Sequence, residues 1–235
     1  DWSMDWSMDW SMDWSMDWSM DWWALVVFVI CCFAVRGLYL VTDACFSIYT
    51  PYRSMAPHRQ LYVQKNFVKS VVLCMLMIPA VMWVMIPMWS NQWHTETSHL
   101  FAAVYGSNDF VGLLMVRLPR TTRIHHVIST LLVVFSFSLD FETSPVAQSM
   151  LVYTFFAASA YLVNLQLALR WFPDTRLRVW AGRVYVVACV LSWTWQVAWL
   201  WRTTLALHHW LYVLLMLWIV RDDVILMRWL QTARD

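Results

Sequence analysis

Residues 22–41 read WWALVVFVICCFAVRGLYLV, twenty residues with a single charge at Arg36. At about 1.5 Å per residue, a helix of that length covers the roughly 30 Å hydrocarbon core of a bilayer. Its apolar residues face all round rather than alternate, which excludes a strand of a transmembrane barrel. Working outward, six further stretches repeat the pattern: Phe67–Trp89, His99–Leu118, Ile124–Leu139, Val146–Leu169, Val184–Trp201 and Leu205–Val220. The fourth and seventh are short and are expected to extend into their flanks. Pro79 and Pro87, inside the second, predict a kink. The expected fold is an all-α membrane protein, a seven-transmembrane-helix bundle or helical barrel.

Composition agrees. Of the 235 residues, 61% are apolar and 13% charged, against about 45–50% and about 25% in soluble domains. So little charge cannot cover a soluble surface of this size, and a basic nucleic-acid-binding protein is excluded with it. Five cysteines form no CxxC pair, which leaves zinc and thioredoxin-type motifs unsupported and makes buried apolar Cys the default.

The sequence opens on a tandem repeat. Residues 1–20 read Asp-Trp-Ser-Met five times, and Asp21-Trp22 begin a sixth copy. A four-residue period is far shorter than the unit of folded repeat proteins, so residues 1–21 are read as a low-complexity tail and 22–235 as the membrane domain. The tail lacks the basic start and apolar core of a signal peptide. Setting aside its six aspartates turns the net charge of +1 into +7.

That remainder orients the chain. Arg36, Arg53, Arg59, Lys65 and Lys69 lie around the connection after the first span. Arg117, Arg120 and Arg123 follow the third, and Arg170, Arg176, Arg178 and Arg183 the fifth. Arg221, Arg228 and Arg234 follow the seventh, and Arg202 alone falls on the opposite side. The positive-inside rule then puts the N-terminus outside or in a lumen and the C-terminus in the cytosol. Trp22, Trp23, Trp89, Trp93, Trp171 and Trp201 mark span ends as interfacial anchors.

Polar groups within spans are costly and therefore the first functional candidates. Asp109 lies near mid-membrane in the third span, His125 and His126 about one turn into the fourth, and Tyr161, Asn164 and Gln166 toward the inner end of the fifth. Measured along the spans, Asp109 is about 10 Å deeper than the His pair, so contact requires a kink or a bridging water. The two His side chains point about 100° apart, so one is expected toward a cavity unless both flank it. His208 and His209 fall at the opposite face, so the two pairs cannot share a metal.

Rival classes fit poorly. The seven histidines show neither HxxxH nor HxxHH spacing, against a di-iron lipid oxidase. The seventh span has no Lys for a retinal Schiff base, and no DRY or NPxxY receptor motif occurs. With only four Gly and no internal duplication, a transporter of inverted repeats is disfavoured.

The run Gly106-Ser-Asn-Asp109-Phe, a basic turn, and Arg123-Ile-His125-His126-Val-Ile-Ser-Thr resembles the central signature of the TLC domain. That family includes ceramide synthases, the translocation-associated membrane protein and the neuronal-lipofuscinosis membrane protein. Residues 159–171, SAYLVNLQLALRW, resemble the family's following helix, and Tyr49 through Ser70 its first cytosolic loop and second helix. The resemblance covers residues 45–230. It implies a bundle or helical barrel around a lipid-accessible cavity, in the endoplasmic reticulum or a related endomembrane.

For activity, the resemblance implies acyl-CoA-dependent N-acyl transfer to a sphingoid amine, with acyl-CoA as co-substrate and no resident cofactor or metal. His125 and His126 would be base and positioning group, and Asp109 would orient a His or bind the amine. Tyr161, Asn164 and Gln166 would contact substrate, and Arg120 and Arg123 would attract CoA phosphates. Topology alone also accounts for those two arginines. The chain departs from the synthases: its fifth span has no acid, Ala157 or Ala158 stands where relatives often carry Glu, and Gln166 stands where Arg is frequent. It therefore looks closer to the non-synthase branches. Two readings stay open: a protein that binds, senses or modifies acyl-chain lipids in membrane lipid homeostasis, and a non-catalytic scaffold, cargo adaptor or translocation accessory. Expected partners are membrane lipids, other membrane proteins or a second copy of the chain, and no nucleic acid.

Overall fold

The computed structural model describes residues 20–169, 175–202 and 207–232. The repeat up to residue 19, and Arg170, Trp171 and Arg234, lie outside the described residues. What is described is helical throughout, without a strand.

Helix α1 spans Trp22–Phe46, and short α2 spans Thr50–Arg53. Then come α3 (Pro57–Ala80), a π-helical turn (Val81–Met85) and α4 (Ile86–Ser90). They are followed by α5 (Thr95–Met115), α6 (Arg120–Ser136), α7 (Pro145–Ala158) and α8 (Tyr161–Ala168). Last are α9 (Thr175–Arg202) and α10 (Leu207–Thr232). By length and composition, three helical stretches suffice to cross a membrane: Trp22–Phe46, Pro57–Ser90 and Arg176–Arg202. The pair α7 and α8 makes a fourth if counted as one span.

Each apolar stretch of the sequence falls on a helix, but two differ in form. Pro79 and Pro87 do not break the second stretch, which runs on as one 34-residue helix. The chain opens into the π turn between them, the usual way to make room where a proline ring crowds the preceding carbonyls. Asn91 then ends α4 in the left-handed conformation, φ 54°. The fifth stretch is not one straight helix, because α7 and α8 meet at 43°. There the Ser159 hydroxyl donates to the Phe156 carbonyl at 2.6 Å, and the Ala160 N–H reaches only back to Ala157. This local back-bonding competes with the helical ladder.

The helices close on themselves. In order, α3, α5, α6, α10, α9 and α8 touch, and α8 touches α3 again. Helix α7 packs on α9, α3, α5 and α6, while α1 lies outside the ring against α5 and α3. One face of α1 (Ala24, Phe28, Val35, Tyr39) is buried, and the other presents Ile30, Phe33 and Leu40 outward. An apolar outer surface is what a hydrocarbon solvent requires. Exposed Trp22, Trp23, Trp89 and Trp201 stand at helix ends. Trp93 does not, being buried beside the core. Of the cysteines, only Cys189 is buried, and Cys45 and Cys74 are exposed, against the default drawn from sequence.

Asp21 does more than end the repeat. Its carboxylate caps α1 by accepting from the N–H groups of Trp23 (2.9 Å) and Ala24 (3.1 Å). Its own N–H donates to the Phe137 carbonyl at 2.8 Å. Its Oδ2 lies 2.8 Å from His99 Nδ1. His99 Nε2 donates toward the Ser136 and Leu139 carbonyls, 3.0 and 3.1 Å away. Burial pushes the Asp21 carboxyl up, but the Ala24 N–H, His99 and the Trp23 N–H hold it below the usual range. Close by, a hydrogen bond from the Thr95 hydroxyl lowers Asp140. At the other end of α1, Tyr52 and Gln64 both donate to Asp43 at 2.7 Å and fix α2 between α1 and α3.

Candidate functional site

Inside the ring lies a cavity of about 340 Å³. Every ring helix and α7 contribute to its wall, and α1 contributes nothing. Its lower bound of size for small-molecule sites is met, since such sites run from about 300 to 1,000 Å³. Its lining mixes apolar side chains, Phe156, Ala157, Ala160, Val163, Leu167, Trp193 and Leu226, with the ionisable groups of Lys65, Lys69, His125, His126, Asp222 and Asp223. Ile225 and Trp229, both partly exposed, stand at the rim.

Asp109 does not line the cavity: it is 1% exposed and lies behind two residues that do, Lys69 and His126. It forms an ion pair with Lys69, lies 3.0 Å from His126 Nδ1, and accepts from the Ser129 hydroxyl at 3.3 Å. The 10 Å gap in depth expected from sequence does not exist. Helix α5 ends at Met115 and α6 starts at Arg120, so Asp109 and His126 each sit six residues from the connection. In antiparallel helices, equal counts from the turn give equal depth. Gly106 permits the close approach: a Cβ there would stand 2.6 Å from Val133 Cγ1. Small residues serve this purpose between membrane helices.

Both histidines line the cavity, so the pair flanks it rather than dividing between inside and out. Their ring centroids are 5.3 Å apart and their planes 63° to one another. His125 Nδ1 lies 3.3 Å from Asp222 Oδ2, and Thr122 donates to Asp222 Oδ1 at 3.3 Å. Asp223 accepts from the Tyr185 hydroxyl at 2.8 Å. Each imidazole thus has a carboxylate near Nδ1, close enough for ion pairing but not aligned for a hydrogen bond from that nitrogen.

The other residues singled out from sequence divide. Asn164 lines the cavity, its amide donating to the Ala160 carbonyl at 2.9 Å. Gln166 is buried but off the wall, and Tyr161 meets Ser70 only through its backbone carbonyl. Arg120 and Arg123 are exposed and do not line the cavity. His209 is buried against Trp199, and the side chain of His208 lies outside the described ones.

Sequence reasoning passed over four wall residues. Lys65 and Lys69 were counted as loop charges, yet both are buried within α3. Asp222 and Asp223 fall just past the seventh apolar run, and α10 carries them to the cavity wall. The signal was present as two adjacent acids on a helix that otherwise carries only Arg.

Comparison with protein families, with curated proteins and with solved structures finds no match to this chain.

Proposed function

We propose that the chain is an integral membrane protein of seven spans and TLC type, N-terminus outside or lumenal, that takes an acyl-chain lipid into its ring. The carrying observation is the cavity itself, whose lining combines apolar side chains with two histidines, each beside an aspartate, inside a closed ring of helices. The resemblance at residues 106–130 supports the family, and the endoplasmic reticulum follows from it. A lining that mixes apolar and ionisable groups suits an amphiphile.

The same geometry supports acyl transfer from acyl-CoA to an amine. His126 Nε2 takes a proton from the amine as the nitrogen attacks the thioester carbonyl carbon. The C–N bond forms, the C–S bond breaks, and the thiolate leaves with a proton. Asp109 holds the His126 ring and stabilises its protonated form. Arg120 and Arg123, exposed next in sequence to the lining residues Leu118, Pro119 and Thr122, would attract nucleotide phosphates in this reading.

The test is lipid mass spectrometry of the purified protein, paired with N-acylation of a sphingoid base. We expect a co-purifying acyl lipid, and a loss of about 100-fold or more in turnover for His126→Ala. A chain that carries no lipid and whose His125→Ala and His126→Ala variants behave as the parent is a scaffold instead.

A further inference from the structure

Lys65 is a buried cation without an anion. It is 5% exposed and lines the cavity. Its Nζ has a single polar contact, the Asn66 amide oxygen at 3.5 Å, and it makes no ion pair among the described residues. The neighbouring charges are otherwise engaged. Lys69 is taken by Asp109, Asp222 is held by His125 and Thr122, and Asp223 accepts from Tyr185. The position of Lys65 is fixed by its stem, which runs over Gly112, where a Cβ would meet Lys65 Cε at 3.4 Å. A buried ammonium in this condition is costly, and the cost is relieved either by loss of its proton or by a counter-charge brought to it.

We infer that Lys65 is the anchor for an anionic oxygen headgroup, a carboxylate or a phosphate monoester, on a single-chain amphiphile. The head sits at Lys65, and the tail runs along Phe156, Ala160, Val163 and Leu226. This rests on the reading of the cavity as a lipid site and adds the charge class of the ligand. The ammonium donates to the anion and exchanges a weak amide contact for a charge-assisted one.

Three probes of equal chain length test this on the full-length protein in phosphatidylcholine nanodiscs: laurate, dodecyl phosphate and dodecanol. We expect wild type to hold at least one anion tenfold or more tighter than dodecanol, and the stronger of the two identifies the head. Lys65→Met should lose that preference while still holding dodecanol, which also shows that the variant is folded. Lys65→Arg should keep it. Equal binding of all three by wild type, or a preference that survives Lys65→Met, overturns the assignment and leaves the lipid site standing. Binding of none of the three by wild type overturns both.

Discussion

Asp109 carries more of the site than any other residue, because three groups from two other helices converge on it. Its carboxylate is matched by Lys69 and oriented toward His126 and Ser129, with no water-facing oxygen to spare. Breaking one half of such a buried pair leaves an uncompensated charge and typically costs about 3–5 kcal/mol. Asp109→Asn should therefore lower the thermal unfolding midpoint sharply, and Lys69→Met should do likewise. The double variant should recover much of the loss, since it buries no lone charge. Additive losses in the double variant would mean that the two residues act independently. Asp109, His125 and His126 were legible in the sequence because a polar group in an apolar run stands out. Lys65 and Lys69 were not, because a charge near a span end is read first as topology. Only packing shows that both turn inward on α3.

The reach of the helices explains most of what the sequence left hidden. Helix α3 begins at Pro57, well before the apolar run from Phe67, and α10 continues to Thr232, well past Val220. Hydropathy reports the lipid-facing length of a helix, not the length that faces its neighbours. Polar residues a turn or two beyond a span can thus still join the bundle wall, as Asp222 and Asp223 do. The same fact lowers the mean hydropathy of helices that build the site. Contact between α5 and α6 is the most exacting of these arrangements. Gly106→Ala would drive a methyl against Val133, whose branched side chain has little freedom to yield. We expect a loss of about 1–3 kcal/mol, and a wider gap between Asp109 and His126 that also reduces turnover. Val133→Ala added to it should restore both, as measured by unfolding and activity in a double-mutant cycle. At the opposite end of these helices, Asp21 ties α1 to the α6–α7 connection. Its carboxyl is held below its unfolded value, so its contribution is full at neutral pH and is lost as pH falls through the lowered value. Asp21→Ala should lower stability at pH 7 by about 0.5–2 kcal/mol through the lost cap. It should also flatten the acid limb of the unfolding midpoint against pH. An unchanged acid limb would assign that dependence elsewhere.

At the scale of the molecule, a closed ring of helices with α1 outside it sets two solvents against each other. The outer surface is largely apolar, broken by exposed arginines such as Arg36 on α1, while the buried Lys and Asp side chains gather around the cavity. The ring was only half legible, because periodicity finds helices but not which of them touch. Nothing in the linear order says that α10 lies between α6 and α9, or that α8 returns to α3. Charge, by contrast, is legible at this scale, and it yields the proposed orientation. Arg117 lies in the connection from α5 to α6 and Arg120 opens α6, while the connection from α6 to α7 carries Asp140 and Glu142. The positive-inside rule assigns the first to the cytosol and the second to the other side. In sealed microsomes, whose outer face is cytosolic, an impermeant maleimide should label the exposed native Cys45 and an introduced Arg120→Cys. Glu142→Cys, exposed on its loop, should react only after the membrane is opened with detergent. Labelling of Glu142→Cys and Arg120→Cys from the same side would mean that α6 does not cross, and the seven-span arrangement would fall with it. The distinction matters for the site as well. If α6 crosses as proposed, His125 and His126 open toward the cytosolic half of the bilayer, the side from which a thioester of coenzyme A can reach them.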